Sequence, residues 1–373
     1  QDAIGQLQKT QMRLKQQDTD TNERLQHVSQ KLEKTQQQLT QKLKETEKMQ
    51  DCLRHNEILS RSMLLLQKSS WKSFSFSSNI NDLCPFQYGP STKSPILIGV
   101  GNGIYSLDNR CSLIQGTSGY NLHTVSHYFP VGLIAAGDNG NAFFWEHCGG
   151  LSGSWRVIST GVSVRLLGNF FGNSLCLLVG EQGTILVANT GKLRNKSTNM
   201  FKQCRTPTQV TLRYAVSGAN GFVVAGDGGT ILFSERKDMD TWHMTQLAGG
   251  AFLGCKRLLW DPSNRCFCVL FSRGPNRLSQ IYTSTDGKSW RGRFTDYGVS
   301  DVWCCDNLCA ALYYSGECIR TGVNWRHWIP AVHYVGRGMG NRMVYDQHHQ
   351  RFFSFQPASS TVWESPVLPS GWR

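Results

Sequence analysis

The sequence predicts a mainly β fold, a six- or seven-bladed β-propeller that follows an N-terminal α-helical coiled coil. Three observations lead to this fold class. The first 68 residues carry a seven-residue apolar repeat, and the later residues carry glycine-punctuated strand pairs with a period of about 40–50 residues. The 373-residue chain also contains 37 Gly and 11 Trp but only 17% charged residues, which favours short strands and tight turns over a disordered chain or a helical enzyme.

Residues 1–68 are predicted to form the coiled coil. With Ile4 at heptad position a and Leu7 at d, the heptads run without insertion or deletion, and a strict period of seven predicts a left-handed supercoil of two or more helices. The apolar oligomerisation positions are Ile4, Leu7, Leu14, Leu25, Val28, Leu32, Leu39, Met49 and Leu53. Because many a and d sites are polar, a homo-dimer, a homo-trimer, docking onto a larger assembly and a solvated single helix all stay open.

Residues 69–94 are interpreted as a linker or as the first strand of the next domain. Serine and aromatic side chains are interleaved between residues 69 and 78. Pro85, Pro90 and Pro95 favour an extended backbone after them.

Residues 95–373 are predicted to form the propeller. A short apolar strand that ends in Gly, a tight turn and a second apolar strand recur, and the reference glycines are Gly101, Gly137, Gly180, Gly226 and Gly316. Their spacings are 36, 43, 46 and 90 residues, and the last is two steps of 45. This period is typical of four-stranded propeller blades. Many units also end in a tryptophan, as at Trp155, Trp242, Trp290 and Trp325.

One turn in this region carries a recognisable motif. Ser284, Asp286, Gly287 and Trp290 lie in Ser-Thr-Asp-Gly-Lys-Ser-Trp, which resembles the Asp box of β-propellers but is one residue short before the glycine. With the repeated hairpins, it makes residues 95–370 similar to neuraminidase-type propellers and to photosystem II assembly-factor propellers. The resemblance implies the fold but no particular activity, and it implies a structural, turn-capping role for Ser284 and Asp286.

The part of the chain after residue 68 is basic, which favours an acidic partner. Lys and Arg number 39 in the whole chain against 26 Asp and Glu. Basic and aromatic residues cluster late in the sequence, and the candidate partner-binding residues are Arg291, Arg293, Arg320, Trp325, Arg326, His327, Trp328 and Arg337. Ordinary packing of the tryptophans between blades is the competing interpretation. A protein is the expected partner, a glycan stays an alternative, and nucleic acid is disfavoured because no recognition motif is present.

No catalytic pattern is found in the sequence. A sialidase needs an arginine triad beside a nucleophile and an acid, and other glycosidases need two facing carboxylates. The arginines are scattered, and Asp138, Glu181 and Asp227 recur only in hairpin turns, where turn geometry accounts for them. A ring of these acids around a cation is the remaining alternative. We therefore expect no enzyme activity, no cofactor and no metal site.

The cysteines do not indicate a zinc module or a fixed disulfide framework. The 13 Cys are odd in number and irregularly spaced, and many lie within apolar strands. Reduced core cysteines are therefore expected, and an intracellular location is favoured over an extracellular or virion surface. No apolar run approaches the ~20 residues that span a bilayer, so no transmembrane segment is predicted.

Three functions remain open on sequence alone. The first is a non-enzymatic interaction or scaffold protein, whose coil sets copy number or anchors the chain and whose propeller binds an acidic protein. The second is an exported or virion attachment fibre with a trimeric stalk and a glycan-binding propeller. The third is a diverged glycosidase. Arginines and carboxylates clustered around a central pocket would count against the first.

Overall fold

The structure is a computed structural model in two compact units, residues 1–60 and residues 61–373. The residues it describes are 2–68, 72–86, 96–107, 112–114, 117–129, 131–146, 155–172, 174–195, 200–235, 239–247, 252, 254–274, 277–305, 308–314, 318–323, 325, 327–328, 333–334, 340–346 and 351–365.

The N-terminal segment is one long helix, α1, from Asp2 to Lys68. Within it, the described apolar side chains of the predicted seam are exposed to solvent. Their exposed fractions lie between 59% and 72%, for Leu7, Leu14, Leu25, Val28, Leu32 and Leu39. The side chains of Ile4, Met49 and Leu53 lie outside the described residues. The long helix is therefore observed, whereas its winding into a coiled coil stays a prediction.

Short strands make up most of the second unit. They are β1 (Lys72–Phe86), β2 (Ile96–Gly101), β3 (Gly103–Leu107), β4 (Ser112–Leu113), β5 (Leu122–Tyr128), β6 (Gly132–Gly137), β7 (Ala142–Glu146), β8 (Trp155–Ile158), β9 (Leu166–Gly172), β10 (Leu175–Gly180), β11 (Ile185–Asn189), β12 (Lys202–Gln203), β13 (Leu212–Ser217), β14 (Gly221–Gly226), β15 (Thr230–Glu235), β16 (His243–Gln246), β17 (Gly254–Asp261), β18 (Cys266–Ser272), β19 (Leu278–Ser284), β20 (Arg291–Tyr297), β21 (Val299–Cys305), β22 (Leu308–Tyr313), β23 (Cys318–Val323), β24 (His327–Trp328), β25 (His333–Tyr334), β26 (Arg342–Asp346), β27 (Arg351–Phe355) and β28 (Ser359–Glu364). A short helix, α2 (Thr190–Arg194), follows β11.

The strands form a β-propeller of antiparallel sheets. Among the described residues, four sheets have four strands in chain order (β5–β8, β9–β12, β13–β16 and β17–β20), and β21–β25 form a five-stranded sheet. The remaining sheet has seven strands in the order β26-β27-β28-β1-β2-β3-β4. The structure thus has five separate blade-sized sheets, and the expected count of six or seven separate blades is wrong. The cause is β1, which joins strands from both ends of the unit.

Strand β1 is long enough to pair with two different neighbours. Its first part pairs with β28, from Lys72↔Glu364 to Ser75↔Thr361. Its second part pairs with β2, from Asp82↔Val100 to Phe86↔Ile96. Strand β1 therefore ties the beginning of the unit to its end, which closes the ring of sheets.

The hydrophobic core lies between neighbouring sheets. One cluster combines Ile134 and Phe144 of the β5–β8 sheet with Leu178 and Leu186 of the β9–β12 sheet. Another combines Cys268 and Leu270 of β18 with Val302 of β21 and with Trp325, whose ring is 1% exposed. Apolar contacts between faces are what hold blades together, since each sheet must bury both of its faces.

Candidate functional site

Seven strands carry the residues that meet at the centre. They are the first strand of each of the five separate sheets, together with β26 and β1 of the seven-stranded sheet. We call β1, β5, β9, β13, β17, β21 and β26 the inner strands, and each contacts the next in this order. Six of them have a β-bulge, near the start of the strand in five cases and in the middle of β1, which adds one residue opposite the second strand. The residue that follows the bulge in each is Asp82, Thr124, Gly168, Tyr214, Arg257 and Asp301. A bulge re-aims the side chain beside it.

Arg257 and Asp301 form a buried ion pair between adjacent inner strands. Arg257 Nε donates to Asp301 Oδ1 at 2.7 Å and Nη2 donates to Oδ2. Their side chains are 11% and 0% exposed. The backbone N–H groups of Val302 and Met343 also donate to Asp301, at 2.9 and 2.8 Å, and Arg257 Nη2 donates to Met343 O at 2.7 Å. The pair therefore fastens β17, β21 and β26 to one another.

Tyr214 lies beside two guanidinium groups. Its ring centre is 6.0 Å from Cζ of Arg257 and 5.5 Å from Cζ of Arg342. Among the described residues, its buried hydroxyl has no hydrogen-bond partner. Burial raises the pKa of Tyr214 to about 12, against the attraction of both arginines. The phenol is therefore neutral at physiological pH.

Asp82 is the second carboxyl of this group, and it is half-buried. It accepts a hydrogen bond from Val125 N on the neighbouring inner strand at 3.0 Å. Burial raises the pKa of Asp82, although the positive charges of Arg342 and Arg257 act in the opposite direction. Arginines and carboxylates thus do cluster at the centre, which is the arrangement that the sequence analysis named as counting against an interaction protein. Arg257 is engaged by Asp301 in a closed ion pair, whereas Asp82 is the carboxyl that keeps a glycosidase as an alternative. The sequence did contain a signal for this cluster, because these arginines and carboxylates are separated by multiples of the repeat period.

The turn acids that recur in the sequence are held by basic side chains. Asp138 accepts from His123 Nε2 at 2.7 Å, Arg165 Nε at 2.8 Å and Asn121 Nδ2 at 2.8 Å. Partial burial acts to raise the pKa of Asp138, but the hydrogen bonds from His123, Asn121 and Arg165 outweigh it and lower this pKa to about 2.

The other two turn acids are paired in the same way. Glu181 Oε1 lies 3.4 Å from Arg165 Nη1. Asp227 accepts two hydrogen bonds from Arg213, from Nε to Oδ1 and from Nη2 to Oδ2, the second at 2.8 Å. Asp227 thus has an arginine of its own, whereas Asp138 and Glu181 share Arg165. The described residues contain no group of three or more His, Cys, Asp or Glu that could hold a metal ion.

The turn at residues 284–290 is capped by its own side chains. Ser284 Oγ donates to Asp286 Oδ1 at 2.8 Å and accepts from Gly287 N at 2.9 Å. Asp286 Oδ1 also accepts from the N–H groups of Lys288 and Ser289, at 2.8 and 2.7 Å. Trp290 Nε1 donates to Gly287 O at 3.1 Å. Partial burial acts to raise the pKa of Asp286, but the hydrogen bonds that its carboxylate accepts from Ser289, Lys288 and Ser284 lower this pKa to about 2.

The predicted partner-binding residues are only partly placed. Arg291 is exposed on the outer strand β20, and Arg293 Nε donates to Thr283 Oγ1 at 2.7 Å. Arg320 belongs to β23, while His327 and Trp328 form β24, but their side chains lie outside the described residues, as do Arg326 and Arg337 entirely.

The prediction that Trp325 binds a partner is wrong, because its side chain is buried between two sheets. Its Nε1 donates to Asp261 Oδ2 at 2.7 Å, and its backbone has a φ of 60°. The tryptophan packs one sheet against the next and cannot reach a partner on the surface.

Several described cysteines are thiols in apolar surroundings. Burial raises the pKa of Cys84 to about 12 and also raises the pKa values of Cys176, Cys255 and Cys268. Thiols that stay protonated are poor nucleophiles and poor metal ligands.

The fold and this arrangement define a β-propeller with a closed, charged centre. No protein-family model matches the chain, and no curated protein matches it either. The resemblance to Asp-box families therefore stays unconfirmed. In the described residues, no helix is both long enough and apolar enough to cross a membrane.

Solved structures do match the fold, in 989 chains. One is YCF48, a photosystem II assembly factor, bound to D1 peptide. It has a TM-score of 0.57 and 12% sequence identity, and the match covers 81% of this chain and 96% of that chain. At this identity the similarity shows the fold alone.

Proposed function

We propose that this chain is a non-enzymatic interaction protein, in which α1 sets copy number or anchors the chain and the propeller binds a protein partner. The observation that carries the proposal is the pairing of the turn acids Asp138, Glu181 and Asp227 with basic side chains. An acid with a pKa near 2, as for Asp138, is a poor proton donor at neutral pH. These residues are better suited to hold a rigid surface than to perform hydrolysis.

The apolar side chains along α1 support a role in assembly. Leu25, Val28 and Leu32 are more than half exposed although they follow the a and d spacing. A helix of this length that leaves leucines in water gains stability when a second helix covers them. A parallel homo-dimer or homo-trimer is the association that we favour.

The similarity to YCF48 is compatible with a protein-binding propeller. That protein was solved bound to D1 peptide. Propellers offer a rigid ring whose turns vary without disturbing the sheets. The partner of the present chain is expected to be acidic, because the chain has a net charge of +13.

Light scattering on the full chain tests the assembly role. We expect a dimeric or trimeric mass for the full chain and a folded monomer after deletion of residues 1–66. The double substitution Leu25→Asp with Leu32→Asp should dissociate the oligomer, whereas the double substitution Gln30→Asp with Gln37→Asp, at f positions, should not. An oligomer that survives the deletion would show that α1 is not the assembly element.

A diverged glycosidase remains a second candidate because of Asp82, a half-buried carboxyl with a raised pKa beside two arginines. Catalytic acids are often raised in this way. Incubation with aryl glycosides, sialosides included, tests this candidate. Turnover that is lost in Asp82→Asn would favour the enzyme, and no turnover by the intact chain would remove it.

A further inference from the structure

One hairpin turn departs in charge from its counterparts. The turns between the second and third strands of three consecutive sheets carry Asp138, Glu181 and Asp227. In the next sheet, the same turn joins β18 to β19 and begins and ends with Arg273 and Arg277. Arg273 therefore stands where the three turns carry an acid, directly after the second strand, and Arg277 adds a second base at the other end of the turn.

Strand register places two further residues at the same end of this sheet. Lys256 is the bulged residue near the start of β17, where Cys255 pairs with Phe271. Tyr297 ends β20 and pairs with Leu278, next to Arg277. Lys256, Arg273, Arg277 and Tyr297 thus run from the inner strand to the outer strand along one end of the sheet, and we call them the basic strip.

The cations of the basic strip are supported by aromatic rings. Lys256 Nζ is 5.7 Å from the ring centre of Tyr314, and Arg273 Cζ is 5.7 Å from that of Phe252. None of the ion pairs among the described residues involves Lys256 or Arg277, and Arg277 is exposed.

Two described acids of the neighbouring sheets are paired with other arginines. Asp227 is bound by Arg213, and Asp301 is bound by Arg257. Asp296, at the outer end, accepts hydrogen bonds from the hydroxyl of Tyr313 at 2.6 Å and from Tyr297 N at 2.8 Å. These neutral donors leave Asp296 its negative charge, so the three cations of the basic strip face one carboxylate among the described residues and keep a local excess of positive charge.

We propose that the basic strip binds an acidic peptide segment of the partner, an inference that rests on the proposed function. Lysine and arginine side chains bind carboxylates through charge-assisted hydrogen bonds. Tyr297 is 67% exposed beside them, and Tyr and Arg are the residue types that dominate binding energy at interfaces. Complementary charge also raises the rate of encounter and makes binding depend on salt.

Fluorescence polarisation with the full chain tests the basic strip. The probes are a labelled peptide rich in Glu, the same peptide with Gln for Glu, and a single-stranded oligonucleotide of equal charge. We expect only the Glu peptide to bind, and more weakly as salt rises. Arg277→Glu and Tyr297→Ala should each weaken its binding about tenfold.

Arg265→Glu is the matched control, because Arg265 is an exposed arginine in the turn between β17 and β18, at the opposite end of the same sheet. Its binding should stay within about twofold of the unsubstituted chain. Binding that is weakened equally by Arg265→Glu and Arg277→Glu, equal binding of the oligonucleotide or no binding of the Glu peptide would each overturn the basic strip. Unweakened binding of the Glu peptide to Arg277→Glu would overturn the basic strip but leave the proposed function standing. Glycoside turnover would instead remove the proposed function itself.

Discussion

Removal of one buried carboxylate should destabilise the propeller more than removal of any surface charge. Asp301 is fully buried and accepts hydrogen bonds from Arg257, Val302 N and Met343 N. Asp301→Asn keeps the size of the side chain but leaves the Arg257 guanidinium buried without its counter-charge. Breaking a buried pair from one side costs about 3–5 kcal/mol. For a propeller of this size, that corresponds to a fall in Tm of roughly 5–8 °C.

Guanidinium-induced unfolding of residues 67–373 measures this free energy. The control is Lys202→Ala, which removes the ion pair of Lys202 with Asp240, two side chains that are 66% and 63% exposed. Exposed pairs contribute about 0–1 kcal/mol. The double substitution Arg257→Met with Asp301→Leu should be more stable than Asp301→Asn, because no charge is left buried. A loss for Asp301→Asn no larger than that for Lys202→Ala would refute this account of the central pair.

Three further predictions follow from the same contacts. Deletion of residues 1–78 removes the part of β1 that pairs with β28, together with the buried Phe76, and should cost about 5 kcal/mol more than deletion of residues 1–66, measured by thermal unfolding. Because the pKa of Asp138 is lowered to about 2, its ionised carboxylate stabilises the fold above about pH 4, and this stabilisation is lost as the pH falls towards 2. Asp138→Asn should therefore reduce the change in unfolding free energy between these pH values by about 1 kcal/mol after solvent screening. An unchanged dependence of the unfolding free energy on pH would contradict this prediction. Gly168→Ala should cost about 3 kcal/mol, because a Cβ there would lie 2.0 Å from Arg213 O on the next inner strand, whereas Gly161→Ala, with φ +77° in open space, should cost about 1 kcal/mol; equal losses in denaturant melts would show that the close approach is not limiting.

The repeated hairpins could be predicted because local chemistry determines them. Gly101, Gly137, Gly180 and Gly226 each end a second strand where that strand lies against the bulge of the inner strand, and Gly316 lies outside the described residues. A Cβ at Gly137 would lie 2.1 Å from Asn121 O, and one at Gly180 would lie 2.1 Å from Arg165 O. No other residue fits such contacts, so the glycines recur with the fold and reveal its period.

The central pairs and the ring closure could not be predicted in the same way. Arg257 meets Asp301 only after two neighbouring sheets pack, and β1 meets β28 across nearly the whole length of the unit. The burial of Trp325 likewise depends on Asp261 in the preceding sheet. Sequence patterns report periodicity within a sheet, whereas these contacts depend on which strands become neighbours.

The residue that follows the bulge has a different structural role in different inner strands. Asp82 accepts from Val125 N and Thr124 accepts from Asn169 on the next inner strand, while Gly168 lets the backbone of β13 approach closely. Each choice is constrained by the inner strand beside it, so a change at one position requires a matching change at the next. The hairpin turns also meet the following sheet, but through side chains that can be exchanged as a pair, as for Asp138 with Arg165 just before β9. The turn between β18 and β19 carries Arg273 and Arg277 instead of the recurring acid, and such a change in a turn can alter binding without disturbing the strands.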